Sequence, residues 1–509
     1  MDISNWVAHR AHWAPERTAI RFERGDWTNA AFEDRVGRLA AALRHELGIG
    51  EGDRVAHLGL NSPDLLALFF ACARIGAMIV PLNWRLTPAE HAYQIGDAAP
   101  TALLVEPEYW DHVGRIRSQF EQLRYVAYRG SADPGPGWLD YDAILAASAP
   151  ISPDAKRDLK TACEIKYTSG TTGKPKGAVR TQEGVFYNAI NSGYVFELTP
   201  QDHVLTAIPM FHAGGMHIQT TPAVHWGAML TIHRRFEPAA VLAEMRASRP
   251  TLLLSVPAAS AAMIAHPDFA RTDITCLKCI CGGSSVVPEA AIRPWVERGV
   301  SFNQVYGMTE TGPIAIASSI ADGRRKSTAA GKAVPYMEAR LVDDAGHDVK
   351  PGQCGEIWLR GPTLLREYWR NPAATKAAFD AEGWFKTGDV AHCDEEGFYF
   401  VDDRKTDMII SGGENIYPAE LENVLADCPD IAEFAVIGRP DPKWVEVPVA
   451  VVVSKPGRRP SAEQILALFQ DRLARYKHPR EVLFVEGPLP RTSLGKVQKY
   501  ELRQRLRAG

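Results

Sequence analysis

Within the first hundred residues the hydrophobic period switches repeatedly between helical and strand spacing, and this limits the fold more than any other feature. From Thr28 the segment TNAAFEDRVGRLAAALRHELG sets Phe32, Val36, Leu39, Leu43 and Leu47 at helical spacing, with a polar start and Gly48 after the last apolar residue. An apolar strand is expected at 55–60. A helix opened by Asn61-Ser62-Pro63 follows it, and then a second strand at 77–82. Strand, helix, strand is the order of a parallel sheet and predicts an α/β fold. The alternation resumes at TLLLSV (251–256) and CLKCICGG (276–283), while 339–360 reads as turn-punctuated antiparallel strands. Beyond Asp402-Asp403-Arg404 the character changes to short strands at 431–438 and 448–453, a helix capped by Ser461 with Gln464 in capping-box position, and a last strand EVLFV. A separate small α+β domain of about a hundred residues is predicted there.

With 509 residues, 46% of them hydrophobic and 23% charged, the chain can bury large cores without disulfides and lies far from disordered compositions. The formal charge of -4 gives no global field toward nucleic acid or anionic lipid, so any polyanion must be held locally. No apolar run approaches the ~20 residues of a membrane span, and the start MDISNWVAHRAHW lacks a signal-peptide pattern. A cytoplasmic location is expected. Of the eight cysteines only Cys276, Cys279 and Cys281 cluster, inside an apolar stretch without a second ligand pair, and they are expected to be buried strand thiols rather than a metal site.

The densest chemical signal is Tyr167-Thr168-Ser169-Gly170-Thr171-Thr172-Gly173-Lys174-Pro175-Lys176-Gly177. Glycines let backbone N–H groups turn inward, hydroxyls add donors and lysines neutralise charge, so such a loop can wrap a polyphosphate. It is not a Walker A loop, because Pro175 follows Gly173-Lys174 where that motif needs Ser or Thr.

On this loop the chain resembles the adenylate-forming superfamily of acyl-CoA synthetases, luciferases and peptide-synthetase adenylation domains. Further family motifs occur in order: Pro209-Met210-Phe211-His212, Tyr306-Gly307-Met308-Thr309-Glu310, Thr387-Gly388-Asp389, Asp403-Arg404 with DMIISGGENIYPAELE, and Pro490-Arg491-Thr492 running to Gly495-Lys496. The resemblance implies a large N-terminal adenylation domain (1–403) with parallel-rich sheets flanked by helices. It also implies a hinge (404–407) and a small mobile C-terminal domain (408–509). ATP, Mg²⁺ and coenzyme A are the implied cofactors. By resemblance, 168–173 and Lys176 hold the phosphates, Gly283-Ser284 edge the adenine, Tyr306 with Gly307 stacks it, Asp389 takes the ribose, and Arg404 contacts ribose and phosphate. Thr309 bonds the α-phosphate, Glu310 and Thr168 are the magnesium ligands, and Lys496 bridges carboxylate and α-phosphate during adenylation. Gly412 and Gly413 belong to the segment that shapes a thiol tunnel after domain rotation. One departure lies at the hinge, where Thr406 stands in place of the family's usual Asp or Lys.

The implied reaction is AMP-forming acid:CoA ligation. His212 is a candidate gate between the acid and thiol sites, an ordinary packed histidine being the alternative. The Arg234-Arg235 pair reads as solvated turn arginines, with a CoA contact as the alternative. The acid pocket is implied near Ala213-Gly214-Gly215-Met216, Val256-Pro257-Ala258, Gly282-Gly283 and Thr311-Gly312-Pro313-Ile314. These stretches are small or apolar and hold no arginine or lysine. A second carboxylate would therefore be buried unpaired, and an apolar monocarboxylate is expected, fatty or aryl/phenylpropenoid. Two further readings stand beside this one: a loading enzyme acylating a carrier protein in trans, and a non-catalytic nucleotide- or acyl-adenylate-binding regulator. The sequence leaves the oligomeric state open, a homodimer included.

Overall fold

The computed structural model describes residues 2–23, 25–130, 133–168, 175–283, 287, 289–404, 407–411, 414–441, 444–470, 472–473, 475–491 and 497–507. Thr28 caps the helix Asn29–Ala41, accepting from the Ala31 N–H at 3.1 Å; a π-helical turn Ala42–Glu46 continues it, and Gly48 follows at φ +58°. The strand Arg54–Leu58 follows, then the helix Pro63–Ile75 capped by Ser62, then the strand Met78–Pro81 running parallel to the first. The predicted parallel unit is therefore present.

Two large sheets are built on this pattern. In the eight-stranded sheet Arg54–Leu58 lies between Met78–Pro81 and Ala102–Val105, all parallel, and the hairpin Ala162–Thr168 with Lys176–Thr181 extends one side. In the nine-stranded sheet Met229–Ile232, His203–Thr206, Leu252–Ser255, Cys279–Gly282 and Ser301–Met308 run parallel, and Gly312–Ala317 turns back antiparallel. Side-chain alternation divides each strand between two cores. Val55, Leu104, Val204, Leu252, Cys279 and Cys281 face a shared core filled by the buried helix Pro63–Ile75. Ala56 and Leu103 face one outer layer, and Leu205, Leu253 and Ile280 face the other. Cys279 and Cys281 are thus core thiols, as expected, and burial pushes both well above an ordinary thiol pKa.

The segment 339–360 supplies the antiparallel strands Glu338–Val342 and Cys354–Arg360 of a four-stranded sheet that also holds Phe385–Cys393 and Tyr399–Arg404. The small C-terminal unit is built on Ile431–Asp441, Val445–Ser454 and Glu481–Phe484. Ser461 and Gln464 close a capping box there, and Leu421, Leu425, Val436, Ala450, Val452 and Phe469 share a core of their own. No helix among the described residues is long and apolar enough to cross a membrane.

Candidate active site

Three strand ends bring the predicted residues together. The hairpin that carries the phosphate loop pairs Thr168 with Lys176, so both ends of the loop are fixed by sheet register. Ser169, Gly170, Thr171, Thr172 and Gly173 lie outside the described residues. The YGMTE motif forms the second hairpin: Ser301–Met308 and Gly312–Ala317 pair Tyr306 with Ile316, and Thr309-Glu310 sit in the turn. Gly307 is needed there, because a Cβ would lie 2.3 Å from the Gly312 carbonyl oxygen. At the third end Gly388, at φ +70°, makes a bulge where the register shifts against Glu356 and Trp358. That bulge aims Asp389 inward, with the Asp389 N–H on Thr387 Oγ1 at 3.1 Å.

The side chains meet directly. Thr168 Oγ1 donates to Glu310 Oε1 at 2.9 Å, and Tyr368 Oη donates to the same oxygen at 3.2 Å. The Lys176 ammonium lies 4.9 Å from the centre of the Tyr368 ring. Tyr306 Oη donates to Asp389 Oδ2 at 2.8 Å, and Asp389 is paired in register with Arg404. Glu310 and Asp389 are each 7% exposed. Two carboxylates therefore stand at nearly closed positions, each accepting from at least one hydroxyl. Glu310, Thr168 and Tyr368 form a hard-oxygen set of the kind magnesium prefers. Gly283 follows the strand Cys279–Gly282. A Cβ there would meet Val305 Cγ2 at 2.8 Å and the Val305 carbonyl oxygen at 2.9 Å. Ser284, Gly412, Gly413, Thr406 and Lys496 lie outside the described residues.

His212 is placed by its backbone. Asn61 Nδ2 donates to the Ile208 and His233 carbonyls at 3.1 and 3.0 Å, and Asn61 Oδ1 accepts from the Met210 N–H at 2.7 Å. Lys166 Nζ donates to the Phe211 carbonyl at 3.2 Å. Gly215 packs so closely that a Cβ would fall 2.1 Å from the Pro209 carbonyl oxygen. Burial, with the charges of Lys166 and Arg85, pulls the His212 pKa down to about 3, so the ring is neutral at physiological pH.

Sequence reasoning missed two groups. Tyr368 reaches Glu310 from the short strand Glu367–Tyr368, which pairs with Lys176–Thr181; nothing in the local stretch REYW signals this. The second is a buried ionic cluster. Glu164 is contacted by Lys166 at 3.5 Å, Arg180 at 3.2 Å and His217 at 3.0 Å, all four side chains being 3% exposed or less. Burial alone would raise Glu164, but His217, Lys166 and Arg180 outweigh it and hold the carboxyl well below its usual range. The stretches read as the acid pocket contain no basic residue, yet Lys166, from a strand of the other large sheet, reaches the Phe211 carbonyl just before them. Its ammonium is engaged by Glu164 and the Phe211 carbonyl. Arg234 is no solvated turn residue either: it pairs with Glu106 at 2.7 Å and Glu108 at 3.1 Å.

Comparison with known proteins places most of the chain in two family regions. Residues 7–369 match the AMP-binding enzyme family and residues 420–496 match the AMP-binding enzyme C-terminal domain. The chain is 46% identical over 505 residues to an indoleacetate–CoA ligase of Aromatoleum aromaticum, covering 99% of this chain and 98% of the relative. It is 39% identical over 504 residues to a feruloyl-CoA synthase of an Amycolatopsis species, covering 99% of each. Among solved structures, ATP-bound MatB from Rhodopseudomonas palustris superposes with a TM-score of 0.90 at 30% identity over 99% of each chain. The anthranilate CoA ligase AuaEII in complex with anthranoyl-AMP gives 0.92 at 27% identity, over 100% of this chain and 98% of that one. With both family regions matched in order and relatives aligned from end to end, the chain belongs to the AMP-binding enzymes, the adenylate-forming superfamily.

Proposed function

We propose that the chain is an AMP-forming acid:CoA ligase whose acid is an aromatic monocarboxylate of the arylacetic or phenylpropenoid kind. The observation that carries the chemistry is the meeting of Thr168 and Glu310 at the mouth of the phosphate loop, beside the Tyr306–Asp389 pair. The aromatic choice is supported by relatives named for indoleacetate and feruloyl substrates, each aligned over nearly the full chain.

In the first step a carboxylate oxygen of the acid attacks the α-phosphorus of ATP, the bond to pyrophosphate breaks, and an acyl-adenylate forms. In the second, the CoA sulfur attacks the acyl carbon and AMP leaves with the bonding electrons. In this reading Tyr306 and Asp389 orient the nucleoside, while Lys176 and the loop hold the phosphates. Glu310 and Thr168 would hold magnesium, which when bound spreads and neutralises the phosphate charge. Neutral His212 walls the acid off from the thiol side.

We assign 1–403 to the adenylation domain, 404–407 to the hinge and 408–509 to the domain that delivers Lys496, whose ammonium bridges the two anions that must approach one another. The family's domain rotation then removes the lysine and admits the thiol. All eight cysteines are free, which fits a reducing, cytoplasmic setting.

The test is pyrophosphate release with MgATP across aryl, fatty and dicarboxylic acids, with and without CoA. A CoA-dependent steady rate confined to aryl acids is expected; preference for a fatty acid or a diacid contradicts the substrate class. Lys496→Ala should abolish that release yet spare thioester formation from supplied acyl-adenylate. Equal loss of both steps would contradict delivery of the lysine by rotation.

A further inference from the structure

A second polar cluster lies outside the nucleotide site, on the four-stranded sheet. Cys354, the first residue of the strand Cys354–Arg360, pairs in register with His392 on Phe385–Cys393, and His392 pairs in turn with Phe400 on Tyr399–Arg404. Asp402 stands where the register of that last pairing shifts opposite Val390 and Ala391, so it is the extra residue of a bulge. Bulges re-aim side chains, and here the carboxylate is turned onto the His392 ring, whose Nδ1 is 2.9 and 3.1 Å from the two Asp402 oxygens. Cys354 Sγ donates to Asp402 Oδ2 at 3.5 Å. Three adjacent strands thus bring a sulfur, an imidazole nitrogen and a carboxylate oxygen within 4.8 Å of one another, and no other such trio among the described residues comes so close.

In a tetrahedral zinc site, bonds of ~2.0 Å to nitrogen and oxygen and ~2.3 Å to sulfur set the ligand atoms roughly 3.5 Å apart. Two of the separations here, 2.9 and 3.5 Å, already lie near that spacing. Small side-chain rotations therefore suffice. Sulfur with imidazole and one carboxylate suits zinc, whereas magnesium demands oxygen, so this trio differs in kind from the Thr168–Glu310 pair. Phe400 lies flat on the His392 ring, 5.0 Å between centres and 7° between planes, and holds its orientation. The Glu420 carboxylate, on the helix Pro418–Ala426, acts electrostatically on both Cys354 and His392, so the local field favours a cation. The way in is open. Of the eight cysteines Cys354 alone is exposed, and His392 and Asp402 border a cavity of about 280 Å³ that Asn423, Asp427 and Arg472 also line. That volume accommodates the water that completes four ligands.

We propose that Cys354, His392 and Asp402 form a zinc site with water as its fourth ligand, separate from the magnesium of adenylation. Binding forms bonds from Zn²⁺ to Cys354 Sγ, His392 Nδ1 and one Asp402 oxygen. The thiol proton goes to solvent, the imidazole keeps one proton on Nε2, and no electron is transferred. The site stands on its own ligands and is independent of which acid the enzyme takes.

The experiment titrates the full chain, stripped of metal with a chelator that is then removed, with cobalt(II) as a coloured stand-in for zinc. One equivalent should give a sulfur-to-cobalt charge-transfer band in the near ultraviolet together with the visible bands of a tetrahedral ion. Zinc should abolish both, and excess magnesium should leave them unchanged. Cys354→Ser should lose the charge-transfer band. His392→Ala and Asp402→Asn should each weaken zinc binding by about 100-fold or more, beyond what the loss of an outer-shell partner costs. Cys393→Ser and Cys428→Ser, at two other partly exposed thiols, should keep the band. Tm values in chelator that match the unsubstituted protein confirm that the variants are folded, and Cys354→Ser, at an exposed position, decides the matter should Asp402→Asn unfold. No charge-transfer band at one equivalent, a band that survives Cys354→Ser, or displacement by magnesium would overturn the site. A band lost in Cys393→Ser or Cys428→Ser would put the metal on another thiol and overturn it too.

Discussion

Glu310 shows how one residue can collect contacts from two distant stretches. Its Oε1 accepts from Thr168 and Tyr368, and its backbone carbonyl accepts from the Leu365 N–H at 2.6 Å. Glu310→Gln keeps the shape and removes the anion, so we predict that adenylation falls by on the order of 10²-fold and that the magnesium concentration for half-maximal rate rises. An unchanged magnesium requirement would exclude Glu310 as a ligand. The legibility of the site follows the same geometry. Thr168, Tyr306, Glu310 and Asp389 could be singled out because each sits in a short motif, and the structure joins them in two hydrogen-bonded pairs. Tyr368, Lys166 and Arg180 were not, since their partners come from strand pairings or core contacts that no local spacing encodes.

At the level of elements, strand and helix positions followed from hydrophobic period; strand ends moved by up to three residues, and the helical pattern that runs to Leu47 turns π-helical after Ala41. The strand expected at 55–60 ends at Leu58, because Gly59 and Leu60 turn toward Glu106, whose carboxylate accepts from the Leu60 N–H at 2.9 Å. Tertiary hydrogen bonding, rather than propensity, sets that boundary. The YGMTE hairpin is the element on which the site depends most. In Gly307→Ala the new methyl would press on the Gly312 carbonyl, which is backbone and cannot rotate away. We predict a stability loss of about 1–3 kcal/mol, read as a lowered Tm, together with a raised KM for ATP as Tyr306 and Glu310 separate. Normal ATP kinetics in a folded Gly307→Ala protein would show that the hairpin does not position the nucleotide.

For the whole molecule, burial depresses several histidines, His57 and His212 to about 3 and His91 to about 4. Above the ordinary histidine pKa of about 6.5 these rings are neutral whether folded or not, so pH has no purchase on them. As pH falls below that value the unfolded chain takes up protons that the folded chain refuses, and stability drops by about 1.4 kcal/mol per such histidine at pH 5.5. Buried Glu33 and Glu106, raised by burial, bind protons in the folded state and offset part of this at the acid end. Tm is therefore expected to fall from pH 7 to pH 5.5; a flat or rising Tm would mean that the rings are protonated in the fold. The α/β character of the large body and the smaller C-terminal unit were legible from alternating period and from the change of character after Arg404. The order of strands within each sheet was not, because crossover connections leave no trace in local sequence.

In the proposed function an aromatic acid is joined to CoA with cleavage of ATP to AMP and pyrophosphate. The decisive experiment gives the enzyme MgATP, CoA and an equimolar mixture of indole-3-acetate, palmitate and succinate and reads the thioesters by mass spectrometry. The aryl thioester is expected, formed one-for-one with AMP and pyrophosphate. A fatty or dicarboxylic thioester, or AMP released without any thioester, would contradict it.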